Sequence, residues 1–270
     1  MTGQTLEQLV TMSRNLGYPA NDYVILGEGN TSALVDDDTF WVKASGRQLK
    51  DIEPAGFVQV CFDRVLALLE ASNLSDEEVK QGLRAAKVDP NDPAHPSVET
   101  AFHAVCLKLA GVKFVGHTHP TAINMITCST AFEAAVGGRL FPDEIVLCGP
   151  APLLVPYVDP GLPLARALHA GLQTYFDTYG ERPKTILMQN HGLIALAATA
   201  QEVENITAMA VKAARILVGT YALGGPHFMT PAAVDRIHTR PDEHYRQRII
   251  GDLAQAPGLG GGEIHDHRPN

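Results

Sequence analysis

Three histidines have the residue type and spacing that suit metal-assisted chemistry. His117 and His119 are two residues apart in segment 113–119, which we predict to be a strand. Alternate side chains of a strand lie on one face, so this spacing directs two imidazoles into one space, where they can chelate one ion. His191 ends another apolar segment and adds a third imidazole. Three protein ligands with an open fourth position are typical of a catalytic zinc site. The alternative is three unrelated histidines, each bonded to a backbone carbonyl.

Glu99 is the candidate acid–base group beside these histidines. Glu99 and His103 are one turn apart on a predicted helix that follows Ser97, and both lie off its apolar stripe. Near a metal, the Glu99 carboxylate can act as a general base, or as a ligand when no substrate is bound. The alternative is a solvated glutamate in a first helical turn, where the helix dipole favours negative charge.

Short polar turns are the candidate anion-binding elements. Residues 27–32 (Gly-Glu-Gly-Asn-Thr-Ser) and Ser45-Gly46 combine backbone N–H, hydroxyl and amide groups, which can form an anion-binding nest. Ser97 lies near a helix start and can add to a phosphate site. The P-loop pattern is absent, and a turn of this kind, taken alone, is more often an ordinary connection. Tyr157, in the proline-flanked extended segment 154–160, offers a phenol as an acid or as a rim aromatic.

The elements that must position these groups mix helices with strands. Apolar periodicity, turn residues and the capping boxes Ser75/Glu78 and Thr199/Glu202 define them. In chain order we predict a helix ending near residue 16, strands at 23–26, 33–35 and 39–43, helices at 63–69 and from 76, a helix at 98–109, a strand at 113–119, a strand at 185–191 continuing to 196, and a long helix from 200. The pattern predicts one mixed α/β domain over residues 1–256, followed by a flexible Gly-rich tail at 257–270. The tail contains His265 and His267, which are of a residue type that can bind a metal, but a flexible end is the favoured interpretation.

Composition excludes several classes of partner. The 270 residues are 45% hydrophobic and carry 21 Lys and Arg against 30 Asp and Glu, a net charge of −9. Nucleic-acid binding needs a basic face, so we expect no such partner. We find no secretory signal and no apolar run approaching the ~18–20 residues of a membrane span, so we expect no membrane partner. The four cysteines form no C-x-x-C pair, which favours buried free thiols over disulfides or zinc ligands and indicates a cytoplasmic protein.

The order of motifs resembles the class II aldolase/adducin family, which includes the fuculose-phosphate and rhamnulose-phosphate aldolases. The matching motifs are Gly29-Asn30-Thr31-Ser32, Ala44-Ser45-Gly46, Pro96-Ser97-Val98-Glu99, His117-Thr118-His119, Pro156-Tyr157 and Asn190-His191-Gly192-Leu193. Each motif is short, but they follow the family order from about residue 5 to residue 220. The resemblance implies a three-layer α/β/α fold with a mainly antiparallel central sheet flanked by helices. It also implies a homotetramer with active sites at subunit interfaces.

The resemblance also implies roles for individual residues. By position, the zinc ligands are His117, His119 and His191, the catalytic groups are Glu99 and Tyr157, and the substrate-binding residues are Asn30, Thr31, Ser45, Gly46 and Ser97. Tyr157 matches a tyrosine that reaches a neighbouring subunit's site in aldolases of this type. Zinc is the family's usual ion, although imidazoles suit several divalent metals.

The function that the resemblance implies is a metal-dependent aldolase. It would cleave a ketose 1-phosphate, or a related sugar, reversibly to dihydroxyacetone phosphate and an aldehyde through an enediolate that zinc stabilises. Val98 replaces a serine of the fuculose-type aldolases, so one phosphate-binding hydroxyl is missing. The alternatives are a sugar-phosphate 4-epimerase, decarboxylase or dehydratase with the same metal site, or a non-catalytic adducin-like protein. The related ribulose-phosphate 4-epimerases carry aspartate at the position of Glu99, so by this resemblance glutamate favours carbon–carbon cleavage over epimerisation. Adducin-like members lose the metal histidines, whereas this chain has all three, which argues against a non-catalytic role. Tyr221 and Tyr245, near the segment that would shape the pocket, match no motif.

Overall fold

Seven strands form one sheet within residues 2–240, the part of the chain that the computed structural model describes. The strands are β1 (Asn30–Leu34), β2 (Thr39–Lys43), β3 (Phe57–Cys61), β4 (Phe114–Thr118), β5 (Leu153–Val155), β6 (Thr185–Met188) and β7 (Gly192–Ala197). Their order across the sheet is β3-β2-β1-β4-β7-β6-β5. Only the β5–β6 pair is parallel among these strands. The mainly antiparallel sheet is therefore confirmed.

Ten α-helices lie within residues 2–240. They are α1 (Thr2–Leu16), α2 (Phe62–Glu70), α3 (Asp76–Ala85), α4 (Thr100–Leu107), α5 (Thr121–Thr127), α6 (Phe132–Ala135), α7 (Pro142–Cys148), α8 (Leu162–Tyr179), α9 (Ala200–Thr220) and α10 (Pro231–His238). Helices α2, α4 and α8 pack on one face of the sheet, while α1 and α9 pack on the other. This arrangement confirms the three-layer α/β/α fold.

Local chemistry explains where several elements begin. The β1–β2 hairpin closes on Asp36, whose Oδ1 accepts hydrogen bonds from the backbone N–H groups of Asp38 and Thr39, at 3.0 and 2.7 Å. Ser75 and Glu78 form the predicted capping box at the start of α3. The Thr199 hydroxyl accepts the N–H of Glu202 at the start of α9. Each bond satisfies backbone N–H groups that the element itself leaves unpaired.

Three predicted elements differ in the structure. Residues 23–26 are not a strand: they belong to a loop in which Leu26 has a positive φ of 51°. Segment 185–196 is not one continuous strand, because it reverses at Asn190, whose φ is 54°, and forms the antiparallel β6–β7 hairpin. The helix predicted at 98–109 is limited to α4, so Glu99 lies at its N-cap position.

Helix α9 also corrects the expectation about apolar runs. In the described part of the chain, Ala200–Leu223 is long and apolar enough, by length and composition alone, to cross a membrane. Its residues Val203, Ile206 and Leu217 are buried in this fold. A core helix of a folded domain passes the same test, so the stretch is weak evidence for a span.

Some predictions concern residues that are exposed or lie outside the described part. All four cysteines are free; Cys106 and Cys148 are buried as expected, Cys61 is half-buried and Cys128 is exposed. Tyr221 is exposed. Tyr245, the tail at 257–270 and its two histidines lie outside the described residues.

Candidate metal centre

The three histidines of the sequence motifs meet where two central strands of the sheet, β4 and β7, end and begin. His117 lies near the end of β4, His119 immediately follows that strand, and His191 precedes β7, which pairs with β4. One ligand atom from each ring lies within 4.8 Å of the others. We refer to His117, His119 and His191 as the histidine cluster. Strand pairing thus brings together residues that are more than 70 positions apart in the chain.

Hydrogen bonding orients the buried ring of this cluster. His117 Nδ1 lies 3.0 Å from the Leu193 carbonyl oxygen, which only accepts, so Nδ1 carries the hydrogen. This tautomer leaves His117 Nε2 with a free lone pair, 3.0 Å from His119 Nε2. A metal-ligating histidine characteristically donates its other N–H to a carbonyl or a carboxylate. The donor set and its orientation fit a divalent ion such as zinc.

Two glycines permit the close approach of the backbone around the cluster. A Cβ at Gly192 would lie 2.5 Å from the Thr118 carbonyl oxygen and 2.8 Å from His119 Cδ2. A Cβ at Gly29 would lie 2.6 Å from the His117 carbonyl oxygen, and Gly29 has a φ of +67°. Both positions are therefore restricted to glycine by sterics, and Gly29 by its backbone conformation as well.

Glu99 points its carboxylate into the histidine cluster. Its Oε1 is 3.2 Å from His191 Nε2, and its Oε2 is 3.7 Å from His117 Nε2. Asn30 Nδ2 donates to Oε2 at 2.6 Å. The side chain is only 13% exposed, so Glu99 is not the solvated first-turn glutamate of the alternative interpretation.

The electrostatics of the cluster favour a carboxylate among neutral imidazoles. Burial raises the pKa of Glu99, but His117, His191 and Asn30 outweigh it and hold that pKa well below its usual range. Burial lowers the pKa of His117 to about 4. Burial and the neighbouring imidazoles lower the pKa of His119 to about 3. At neutral pH both rings are therefore unprotonated, as metal ligation requires.

A buried network supports Glu99 from behind. Asn30 is opposite His117 in the β1–β4 register, so the two side chains share a face. The Asn30 Oδ1 contacts His103 Nε2, and His103 Nδ1 lies 2.7 Å from the Ser32 hydroxyl. His103 is fully buried on α4, and burial lowers its pKa to about 3. The sequence indicates His103 by its position one turn from Glu99, and Ser32 by its place in the turn at 27–32 and in a matching motif, but neither signal predicts this network.

Ser45, Gly46 and Ser97, which we call the anion turns, are neighbours beside this cluster. An antiparallel bridge joins Ala44 to Pro96, and the Ser45 N–H donates to the His95 carbonyl at 2.9 Å. Ser45 and Gly46 are exposed, and Gly46 has a φ of +78°. The Ser97 hydroxyl accepts the Glu99 N–H at 3.3 Å. The bridge thus joins the turn at Ser45 and Gly46 to the segment that carries Ser97 and Glu99.

Lys43 is a site residue that sequence reasoning missed. Its ammonium donates to the Gly27 carbonyl at 3.2 Å and to the Arg47 carbonyl at 2.5 Å, and the residue is buried. Burial lowers the Lys43 pKa to about 8. Lys43 therefore ties the turn at residue 27 to the turn after β2. The available signal was a lysine at the end of an apolar strand, directly before Ala44-Ser45-Gly46.

The structure does not bring two of the predicted residues to the cluster. Thr31 is fully buried, and its hydroxyl lies 2.6 Å from that of Ser13 on α1, because alternation along β1 turns it away from the face of Asn30. Tyr157 is 55% exposed, and its hydroxyl lies 3.3 Å from an Asp159 carboxylate oxygen. Asn30 is at the cluster, but its amide oxygen and nitrogen contact His103 and Glu99.

Comparisons with known proteins agree with the motif order. Residues 7–218 match the family described as the class II aldolase and adducin N-terminal domain. The chain is also 30% identical over 206 residues to an uncharacterized oxidoreductase, YuxG, of Bacillus subtilis (strain 168). That match covers 73% of this chain and 27% of YuxG, so the chain spans about a quarter of that relative's length.

Solved structures share the fold. The N-terminal class II aldolase domain of a conserved Thermoplasma acidophilum protein is 28% identical, with a TM-score of 0.61 and coverage of 79% of this chain and 93% of that one. YgbL of Klebsiella pneumoniae, a putative aldolase/epimerase/decarboxylase, is 20% identical, with a TM-score of 0.66 and coverage of 88% and 99%. An L-fuculose 1-phosphate aldolase is 15% identical, with a TM-score of 0.66 and coverage of 91% and 98%. Because the YgbL and L-fuculose 1-phosphate aldolase structures are only 20% and 15% identical to this chain, their similarity concerns the fold alone.

Proposed function

The chain belongs to the class II aldolase and adducin family, and within it we propose that the protein is a metal-dependent aldolase. Its reaction would be the reversible cleavage of a ketose 1-phosphate to dihydroxyacetone phosphate and an aldehyde. The observation that carries the proposal is the Glu99 carboxylate, 3.2 Å from His191 Nε2 and 3.7 Å from His117 Nε2. A buried base beside a ligand set is the combination that proton transfer next to a carbonyl requires.

The histidine cluster would hold the metal, for which zinc is our first choice. When bound, a divalent ion there supplies Lewis-acid polarisation of the substrate's carbonyl and hydroxyl oxygens. His117 is prepared for this role because Leu193 accepts the hydrogen of its Nδ1. The low pKa values of His117 and His119, about 4 and 3, mean that protons do not compete for these ligands at neutral pH.

Glu99 would move a proton to and from the substrate carbon next to the carbonyl. Its depressed pKa keeps it ionised at neutral pH, so in the condensation direction it would begin as a base that takes the proton from this carbon, and in the cleavage direction it would return that proton to the carbon. Asn30 donates to Oε2 of the carboxylate at 2.6 Å, while Oε1 lies 3.2 Å from His191 Nε2. Orientation by Asn30 and His103 fixes the carboxylate before substrate arrives, which reduces the cost of reaching the reactive geometry.

The anion turns would bind the phosphate of the substrate. Ser45 and Gly46 are exposed, and their turn offers hydroxyl and backbone groups to an anion. The Lys43 ammonium donates to the carbonyl of Arg47, the residue after Gly46, and so places a positive charge next to that turn. Binding the phosphate would hold the three-carbon half of the substrate in register with Glu99.

We further propose one class II aldolase domain over residues 1–256 and a homotetramer with interfacial sites. The described part supports one unit, since a single sheet carries helices on both faces. Tyr157 is exposed on this chain, as a residue that acts in a neighbouring subunit's site would be. In that role its phenol would exchange a proton with the hydroxyl that becomes the aldehyde.

The test is retro-aldol turnover on a panel of ketose 1-phosphates. Release of dihydroxyacetone phosphate is followed with and without a chelator, on protein whose metal content is measured in the same sample. We expect release on at least one member, abolished by the chelator and restored by adding back the divalent ion. No release from metal-loaded protein across the panel would contradict the aldolase assignment.

One observation favours a second candidate reaction at the same site. Val98 is 44% exposed at the position where a hydroxyl would assist phosphate binding. A substrate with a weaker anionic group, such as a sugar acid, would tolerate this replacement. The candidate is therefore a 4-epimerase, decarboxylase or dehydratase acting through the same ligands, and product analysis separates these from the aldolase. Turnover of any such sugar would exclude the non-catalytic, adducin-like alternative.

A further inference from the structure

The loop from residue 22 to residue 29 runs alongside the histidine cluster. The His119 N–H donates to the Tyr23 carbonyl at 2.9 Å, and the Thr121 N–H donates to the Asp22 carbonyl at 3.3 Å. At the other end of the loop, Gly29 lies against the His117 carbonyl, where a Cβ would not fit. The loop is therefore fixed to the backbone on both sides of the ligand pair.

This loop holds an unfavourable backbone conformation. Leu26 has a φ of 51°, a region that branched, non-glycine residues seldom occupy, and its side chain is 73% exposed. A reciprocal pair of bonds closes the turn: the Glu28 N–H donates to the Ile25 carbonyl at 3.1 Å, and the Ile25 N–H donates to Glu28 Oε2 at 3.0 Å. The turn thus fixes one oxygen of the Glu28 carboxylate.

The second oxygen of that carboxylate faces a metal-ligand histidine. Glu28 Oε1 lies 3.9 Å from His119 Nδ1. On the opposite side of the same ring, His119 Nε2 lies 3.0 Å from His117 Nε2 and faces the cluster. Glu28 is therefore on the outer side of the ring, where it cannot share the ion that Nε2 would bind.

We propose that Glu28 is a positioning residue that accepts the Nδ1 hydrogen of His119 when a metal is bound. The carboxylate would fix the tautomer that presents Nε2 to the ion and would increase the basicity of that nitrogen. The Leu193 carbonyl oxygen has the same role for His117, whose Nδ1 lies 3.0 Å from it. This inference rests on the proposed metal site, and it requires the distance between His119 Nδ1 and Glu28 Oε1 to shorten from 3.9 Å to about 3 Å.

The experiment compares metal affinity in Glu28→Gln with that in a matched control. Glutamine has one carbonyl oxygen in place of the two carboxylate oxygens. It therefore cannot accept hydrogen bonds at both positions, from the Ile25 N–H at one and from His119 Nδ1 at the other. The control is Glu78→Gln, because Glu78 Oε2 likewise accepts a backbone N–H three residues earlier, from Ser75 at 2.8 Å, but in helix α3. Zinc affinity is measured by competition with a chromophoric chelator, on intact protein.

We expect zinc to bind about 10-fold more weakly to Glu28→Gln than to wild type, and within twofold of wild type in Glu78→Gln. A second readout is the His119 Hδ1 resonance of the zinc-loaded protein. It is protected from water exchange in wild type and lost in Glu28→Gln, an effect that a purely structural loop role would not produce.

Unchanged zinc affinity in Glu28→Gln, with the Hδ1 resonance retained, would overturn the inference and leave the metal site intact. If instead wild type binds no zinc, or His119→Ala binds it as well as wild type, the metal site itself is wrong and the inference falls with it. Metal-free thermal midpoints of the two Gln variants show how much of any change comes from loss of the turn.

Discussion

The histidine cluster and the anion turns lie side by side, but they are built differently. His117 and Asn30 are buried; the His117 ring bonds to the Leu193 carbonyl on β7, and the Asn30 amide bonds to Glu99 and His103 at the start of α4. Ser45 and Gly46 are exposed and are held through a backbone bridge and the buried Lys43. The cluster thus extends from the core, where His117 is fully buried, to the partly exposed rings of His119 and His191, whereas the anion turns are surface backbone that a ligand completes. This difference predicts that substitutions in the cluster lower metal affinity and turnover, while substitutions in the anion turns lower the affinity for substrate.

The largest effect should come from removing a ligand of the cluster. His119→Ala leaves two imidazoles, and we expect metal affinity and chelator-sensitive turnover to fall by more than about 100-fold. Metal content and turnover are measured on the same preparation. His119 is partly exposed, so the variant should still fold, which circular dichroism verifies. Full metal occupancy in this variant would require a different ligand set.

The next effect separates the base from the metal. Glu99→Gln removes the charge but keeps the size and the contact with Asn30, so we expect turnover to fall by about 10²–10⁴-fold while metal is retained. Steady-state kinetics of metal-loaded protein gives the change. Near-wild-type turnover would show that Glu99 does not move a proton in the reaction.

A smaller effect is expected from the anion turns. Ser45→Ala should raise KM for a phosphorylated substrate about 10-fold with little change in kcat, because it removes one hydrogen bond to a charged group. Metal content should stay at the wild-type level, since Ser45 is bonded to the His95 carbonyl and is not one of the proposed metal ligands. A loss of bound metal, or an equal loss in kcat, would break the distinction between the two regions.

The smallest effect lies outside both regions and concerns pH. Glu204 on α9 accepts a hydrogen bond from Asn15, but burial outweighs it and raises the Glu204 pKa to about 7. The folded state therefore holds a proton between about pH 4.5 and 7 that the unfolded state has lost, so this stabilisation is present at low pH and disappears as the pH rises through 7.

Because Glu204 is partly solvated, we expect this effect to be about 1 kcal/mol. Denaturant unfolding at pH 5 and pH 8 measures it, with Glu204→Gln as the comparison. The variant should show a smaller loss of stability between these two pH values. An identical loss in both proteins would place the proton elsewhere.

What could be predicted from the sequence depends on whether the signal is local in the chain. Strand β2 and the Ser75/Glu78 capping box were predictable because their signals are local: alternation, turn residues and a three-residue spacing. The histidine cluster was predictable as a residue set, through motif order. The bonds that position it were not, because Lys43 and His103 act on segments distant in the chain, and no local pattern encodes such a contact.

The same reasoning explains where the structure differs from the local sequence pattern. Residues 23–26 have the apolar character of a strand, but their backbone is used to contact His119 and to close the Glu28 turn. Thr31 lies within a motif that the resemblance assigns to substrate, yet strand alternation points its side chain at Ser13. At residues 23–26 tertiary contacts overrode the local pattern, whereas at Thr31 the alternation of the strand decides which face the side chain occupies.

The most direct test of the account is a titration of the metal-free protein with Co²⁺, followed by visible absorption, in wild type and in His191→Ala. Cobalt reports imidazole ligation through the intensity of its ligand-field bands. We predict saturation at one ion per chain in wild type, with bands that shift when Glu99 is replaced and are lost in His191→Ala. Absence of binding in wild type, or identical spectra in wild type and His191→Ala, would contradict the claim that His117, His119 and His191 form the metal centre.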